Sequence, residues 1–116
     1  MTINTFEDLI VWQKSKNLCL IIYKLFILSK DFGFKDQIQR ATVSISNNIA
    51  EGFERRSNKE FKQFLFISKG SCGEVRSMTY LAFDLKYINQ NDFELINDLT
   101  IEMSRLLSGL IKSLNF

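Results

Sequence analysis

A chain of 116 residues, 46% hydrophobic and 24% charged, has the composition of one globular domain (1–116) and leaves no length for a second. Fifteen Lys and Arg against thirteen Asp and Glu give a net charge of only +2, so binding to nucleic acid by bulk charge is excluded and any such role must rest on where the charges lie. With no His, and with Cys19 and Cys72 far outside any paired-Cys spacing, the pattern of a zinc site is absent.

No proline interrupts the chain and no stretch alternates like a strand, so the expected elements are helices. The segment Met1 to Glu7 lacks a basic region followed by an apolar run, and the expected compartment is the cytoplasm, with reduced thiols. A first helix is expected from about Phe6 to Ser29. Within it, Leu18 to Leu28 holds ten apolar residues of eleven, too few to span a bilayer, which needs roughly 20. They wrap the helix almost completely, whereas a helix facing only its own core needs about three apolar positions in seven. Part of this surface, with Ile21 and Leu28 as outward candidates, is therefore expected to meet another chain. Gly33 offers a left-handed turn after the helix.

The second helix is expected from about Lys35 to Phe53, with Phe34, Ile38, Ala41, Ile45, Ile49 and Gly52 on one face. Asn47, Asn48 and Glu51 read as hydrogen-bonding posts or caps rather than a site, with the partner of Glu51 expected on helix 1 or helix 3. Gly52 is expected to let the chain leave the helix. Ser57-Asn58-Lys59-Glu60 has the form of a capping box and starts the third helix, which reads unbroken to about Tyr87, roughly 45 Å. Its core face is expected to hold Phe61, Phe64, Ser68, Val75, Met78, Ala82 and Leu85.

On the same helix Lys62, Phe66, Lys69, Gly73, Arg76 and Tyr80 recur every three or four residues and so form one stripe. None of its three cations has an acidic residue three or four positions away, so the usual neutralisation along a helix is missing. With Arg55, Arg56 and Lys59 at its start, the stripe is a candidate nucleic-acid contact: cations for phosphates, Phe66 and Tyr80 for stacking on unpaired bases. A solvated face, or a subunit interface in which the cations meet acids of a neighbour, is the competing reading. Gly70-Ser71-Cys72-Gly73 lacks the spacing and following Lys of a phosphate loop, and its small residues suggest close helix packing, with Cys72 an inert thiol at the core edge.

Asn89-Gln90-Asn91 makes a polar turn, Asn91 and Glu94 suggest a second capping box, and the fourth helix carries Ile96, Leu99, Met103, Leu106, Leu110 and Leu114. Asp84, Asp92, Glu94, Asp98 and Glu102 read as solvated faces and caps. No Ser–Lys or paired-carboxylate constellation stands out, so no enzyme, cofactor or small-molecule substrate is expected. Four helices with short links imply an all-α, antiparallel up-down-up-down four-helix bundle.

The strings Phe6-Glu7-Asp8-Leu9-Ile10-Val11-Trp12-Gln13-Lys14-Ser15, Gln37 to Ile45, Asn48-Ile49-Ala50-Glu51-Gly52-Phe53, Arg56-Ser57, Glu60-Phe61, Phe64-Leu65 and Gly70-Ser71 resemble, in order, the small bundle proteins encoded by intervening sequences of 23S ribosomal RNA genes. Cys72 and Gly73 depart from the alanine or other small residues expected there. The resemblance implies a ring-shaped homopentamer. It also implies kinship with the accessory variability proteins of diversity-generating retroelements, which bind nucleic acid and a reverse transcriptase. The resulting expectation is a non-catalytic oligomeric binding or scaffold protein, with RNA or a nucleic-acid-bound protein as partner; an assembly that meets only proteins is the alternative.

Overall fold

Apolar side chains return every three to four residues in four stretches, and each stretch is a helix. The computed structural model describes residues 3–114: a short 3-10 turn, Phe6–Asp8, then α1 (Ile10–Leu25), α2 (Phe32–Phe53), α3 (Asn58–Asp84) and α4 (Gln90–Ser113), with no strand among the described residues. The first two residues of the Met1–Glu7 segment lie outside this range.

Polar side chains at the helix ends set the boundaries. The Asp8 carboxylate accepts from the Asn4 and Thr5 backbone N–H groups at 3.0 and 3.2 Å, which closes the 3-10 turn and holds that carboxyl below its ordinary range. Leu9 is then extended, so α1 begins at Ile10 rather than Phe6. Its other end comes at Leu25, four residues before the expected Ser29. Asp31 caps α2 by accepting from Phe34 N at 3.2 Å, and the chain re-enters a helix at once. Gly33 therefore sits in the first turn of α2 and no glycine has positive φ, contrary to the expected left-handed turn. That conformation is taken at Lys86 (φ 63°), after α3, where Tyr87 N–H donates to Ala82 O at 2.8 Å and Lys86 N–H to Phe83 O at 3.0 Å.

Ser57 caps α3 as its spacing predicts, accepting from Glu60 N at 3.2 Å while its hydroxyl donates to the Glu60 carboxylate at 3.1 Å. The cap of α4 falls two residues earlier than expected: Asn89 accepts from Asp92 N at 2.8 Å, not Asn91 with Glu94. The two turns at this end are tied together, because Tyr87 donates its hydroxyl to Asp31 at 2.7 Å and its ring meets Phe34 edge-on at 5.5 Å.

The core is one cluster drawn from all four helices, with Leu18, Ile22, Ile38, Ile45, Ile49, Leu65, Ile96, Met103 and Leu107 fully enclosed. Between α2 and α3 the partners run in opposite senses, Gln37 to Glu74, Ser44 to Ser71 and Phe53 to Phe61, the mark of antiparallel helices. The α3–α4 pairs Cys72–Thr100 and Tyr80–Phe93 run likewise. Several expected positions shift within this packing. Leu85 lies beyond the end of α3 and is exposed, and Phe64 is only half-buried, while Leu65, Cys72 and Thr79 are enclosed instead. Ile21 is half-buried and packs on the core, so it is not an outward residue; Leu28, 89% exposed, is. Lys14 pairs with Glu102 across the α1–α4 seam at 3.1 Å.

Gly52 does not release the chain from α2. A methyl group there would lie 2.6 Å from Phe64 Cβ and 3.0 Å from the Phe61 ring, so the residue is small because α3 crosses against it. Gly70 and Gly73 behave oppositely: a Cβ at either meets nothing within 4 Å, so they do not serve helix packing inside the subunit. Equilibrium denaturation should therefore rank three variants. Ile45→Ala should cost on the order of 2–5 kcal/mol, Gly52→Ala about 1–3 kcal/mol through forced repacking, and Gly70→Ala should gain about 0.5–1 kcal/mol of helix stability.

Candidate nucleic-acid interface

The rotation of α3 is set by its buried side: Phe61, Leu65, Ser68, Cys72, Val75, Met78 and Ala82 face inward. The stripe that starts at Lys62 consequently runs along the solvent side next to α4. Phe66 is 56% and Tyr80 50% exposed, Arg76 and Gly73 are exposed, and Lys62 and Lys69 are half-buried. Successive cations seven residues apart stand about 10 Å from each other along the axis. Between them the missing side chain of Gly73 leaves a shallow gap. Tyr80 is braced edge-on against Phe93 at 5.1 Å, and Phe93 in turn rests on Phe83 at 4.8 Å, which fixes the phenol in place.

The basic residues before α3 divide. Arg55 is engaged locally, paired with Glu51 at 3.0 Å and lying over the Phe64 ring at 4.9 Å, so Glu51 is satisfied within its own helix end rather than by helix 1 or helix 3. Arg56 is exposed, and with Arg55 it rims a groove of about 320 Å³ floored by Ile3, Leu9, Phe53, Phe61 and Leu110. Lys59 is exposed on the first turn of α3. Two further cations were not singled out by sequence. The antiparallel α3–α4 register brings Arg105 and Lys112, seven residues apart on α4, level with the N-terminal half of the stripe. Their signal was available only once the register was known.

The remaining polar groups are structural. Asn48 donates to the Ser44 carbonyl and hydroxyl at 2.8 and 3.0 Å, and Ser44 meets Ser71 at 2.9 Å, so these residues stitch α2 to α3. Cys72 is deep in the core rather than at its edge; its thiol donates to Thr100 O at 3.2 Å, and burial pushes it up to about 11. A hollow of about 470 Å³ between α1 and α4 is lined chiefly by Leu9, Ile10, Val11, Leu106 and Leu110. Its polar residues Asp8 and Gln13 are occupied by backbone groups. Among the described residues no three His, Cys, Asp or Glu converge as metal ligands, and no helix is long and apolar enough to cross a membrane.

These features define an all-α four-helix protein with an exposed basic and aromatic helix face. Residues 7–109 match the family described as 23S rRNA-intervening sequence protein, and the chain belongs to that family. It is also similar to a crystal structure from Bacteroides thetaiotaomicron VPI-5482, a protein of unknown function from the S23 ribosomal protein family: TM-score 0.83, 30% identity, covering 89% of this chain and 99% of that one. No curated protein matches the chain.

Cys72 also makes stability depend on pH. Its thiol titrates higher in the folded chain, at about 11, than the ordinary 9.0, so the stabilisation is complete below pH 9 and lost as pH rises through 11. Unfolding free energy should fall by roughly 2–3 kcal/mol across that window. Cys72→Ala should remove most of this slope. In the native protein at pH 8, a thiol reagent should modify half-buried Cys19 well before Cys72.

Proposed function

We propose that this protein is a non-catalytic scaffold that assembles as a ring of identical subunits, most simply a homopentamer, each an up-down-up-down bundle, and that it contacts RNA through α3. The observation that carries the reading is the exposed stripe itself. It sets Lys69 and Arg76 beside aromatic rings that a compact bundle would gain by burying, and leaves a gap between them at Gly73. Cations along a helix axis suit a phosphate backbone, and exposed rings suit unpaired bases. The family's description, which ties it to 23S ribosomal RNA intervening sequences, supports an RNA partner. Kinship with retroelement accessory proteins adds a reverse-transcriptase-like protein as a second partner.

Repetition makes the weak local charge effective. One subunit offers a few cations and a net charge of +2, too little for tight binding, whereas a ring repeats the stripe and binds through several contacts at once.

The triple variant Lys62→Glu, Lys69→Glu, Arg76→Glu should abolish binding to structured RNA while leaving helicity and oligomer mass unchanged. For the wild type, the logarithm of affinity should fall with that of salt at a slope of roughly −0.7 to −0.9 per phosphate neutralised. Phe66→Ala should weaken single-strand binding by about 1–3 kcal/mol without changing that slope much. A triple variant that binds RNA normally but loses its mass would show the stripe to be a subunit interface, and the assembly one that meets only proteins.

A further inference from the structure

The small net charge conceals a separation along the chain. Helix α1 carries Lys14, Lys16 and Lys24 and no acidic residue, while the first thirteen residues of α4, Gln90 to Glu102, carry Asp92, Glu94, Asp98 and Glu102 and no cation. One pair, Lys14 with Glu102, is used inside the subunit. Lys16, which lies over the Trp12 ring, and Lys24 on α1, and Glu94 and Asp98 on α4, are exposed, and exposed apolar side chains accompany them. On α1, Leu20 and Tyr23 are 54 and 42% exposed, and at 100° per residue they share a face with Lys16 and Lys24; Ile27, 65% exposed, follows in the turn after the helix. On α4, Leu95 is 52% exposed and joins Asp98, Leu99 and Glu102 around a shallow groove of about 440 Å³.

We infer that these two surfaces are partners: the basic, apolar face of α1 on one copy docks on the acidic, apolar groove of α4 on the next copy of this chain. The inference rests on the oligomeric reading above and identifies the contact that builds the oligomer. A positive face with three large apolar side chains meets a negative groove with Leu95 at its rim, so the contact is complementary in both charge and hydrophobicity. Docking two copies through the α1 face alone would instead oppose lysine to lysine.

Because the two surfaces differ, the contact is head-to-tail, and repeating it yields either a closed ring or an open filament. The heights favour closure. The Lys14–Glu102 pair fixes the level of α4 against α1, and with antiparallel helices Leu95 comes level with about residue 21, within the stretch Lys16 to Ile27. Donor and acceptor surfaces at one height close without climbing.

A mixing experiment tests this. Variant one carries Leu20→Asp and Ile27→Asp and has lost only its α1 face; variant two carries Leu95→Lys and Asp98→Lys and has lost only its α4 groove. Each alone should run as a monomer of 13.6 kDa with unchanged helicity, whereas the wild type should run at several times that mass. Mixed, they should form a one-to-one dimer through the one pair of intact faces, and no larger species. As a check independent of folding damage, Lys16→Glu should weaken the wild-type assembly and Lys16→Glu with Asp98→Lys in one chain should restore it. Single variants that keep the wild-type mass, or monomers that do not combine on mixing, overturn the pairing but leave the oligomer standing. A wild type that is itself monomeric overturns both.

Discussion

The close approach of α2 and α3 governs everything the protein shows to its surroundings. Where the two helices cross, Gly52 lets Phe61 and Phe64 lie directly on the α2 backbone, and one turn further along α3 the Ser68 hydroxyl donates to the Ile45 carbonyl at 2.9 Å. Two such contacts, one steric and one polar, leave α3 no freedom to roll about its own axis. A roll of one residue, about 100°, would carry Leu65 and Cys72 toward water and draw Phe66 and Gly73 toward the core. Placing Lys69, Arg76 and the two exposed rings on the surface is thus a consequence of how α3 is buried. The stripe needs no device of its own to hold it out.

Much of this was legible in the sequence because helical periodicity is a local signal. The inward face of α2 from Phe34 to Gly52 and the Ser57 N-cap follow from spacing alone and stand as read, whereas Glu60 accepts from the Ser57 hydroxyl rather than from its backbone N–H, and Lys62 and Lys69 of the stripe are half-buried. Most of the errors originate in contacts between segments distant in sequence, Gly33 beside its local cap Asp31 being the exception. Gly52 looks like a helix terminator until Phe64 is placed against it, and Gly33 looks like one until Asp31 caps the following helix. Ile21 looks outward until α1 meets its neighbours. A tract of ten apolar residues in eleven carries no phase, so its inward and outward members could not be told apart before packing. The same holds for Arg105 and Lys112, whose place beside the stripe is a matter of register between helices.

Charge illustrates the difference between a sum and an arrangement. A net +2 is uninformative, yet three cations without an acid on α1, four acids without a cation at the start of α4, and a cluster of cations near the start of α3 are distributed unevenly over the fold. Exposed pairs within a subunit, such as Arg40 with Asp36, contribute little to stability, with a typical value of about 0–1 kcal/mol. Exposed charges act chiefly on encounter and on choice of partner, because like charges repel wrong orientations more effectively than opposite charges hold right ones. The pattern therefore bears on recognition rather than on folding.

The two proposed surfaces are compatible only because they use different helices. Self-docking through α1 and the start of α4 leaves the stripe side of α3 uncovered, and it consumes acidic groups of α4 against lysines of α1. Arg56, Lys59, Arg105 and Lys112 are exposed around the start of α3 and the end of α4 and take no part in the proposed contact. Assembly would thus raise the positive potential at the RNA-facing surface in two ways: by repeating it in every subunit and by withdrawing part of the negative charge that offsets it in the monomer. On this view a chain that is nearly neutral alone, and so not drawn to nucleic acid indiscriminately, becomes competent to bind only when its α1 and α4 faces are occupied by neighbours, which couples RNA contact to ring formation through electrostatics alone.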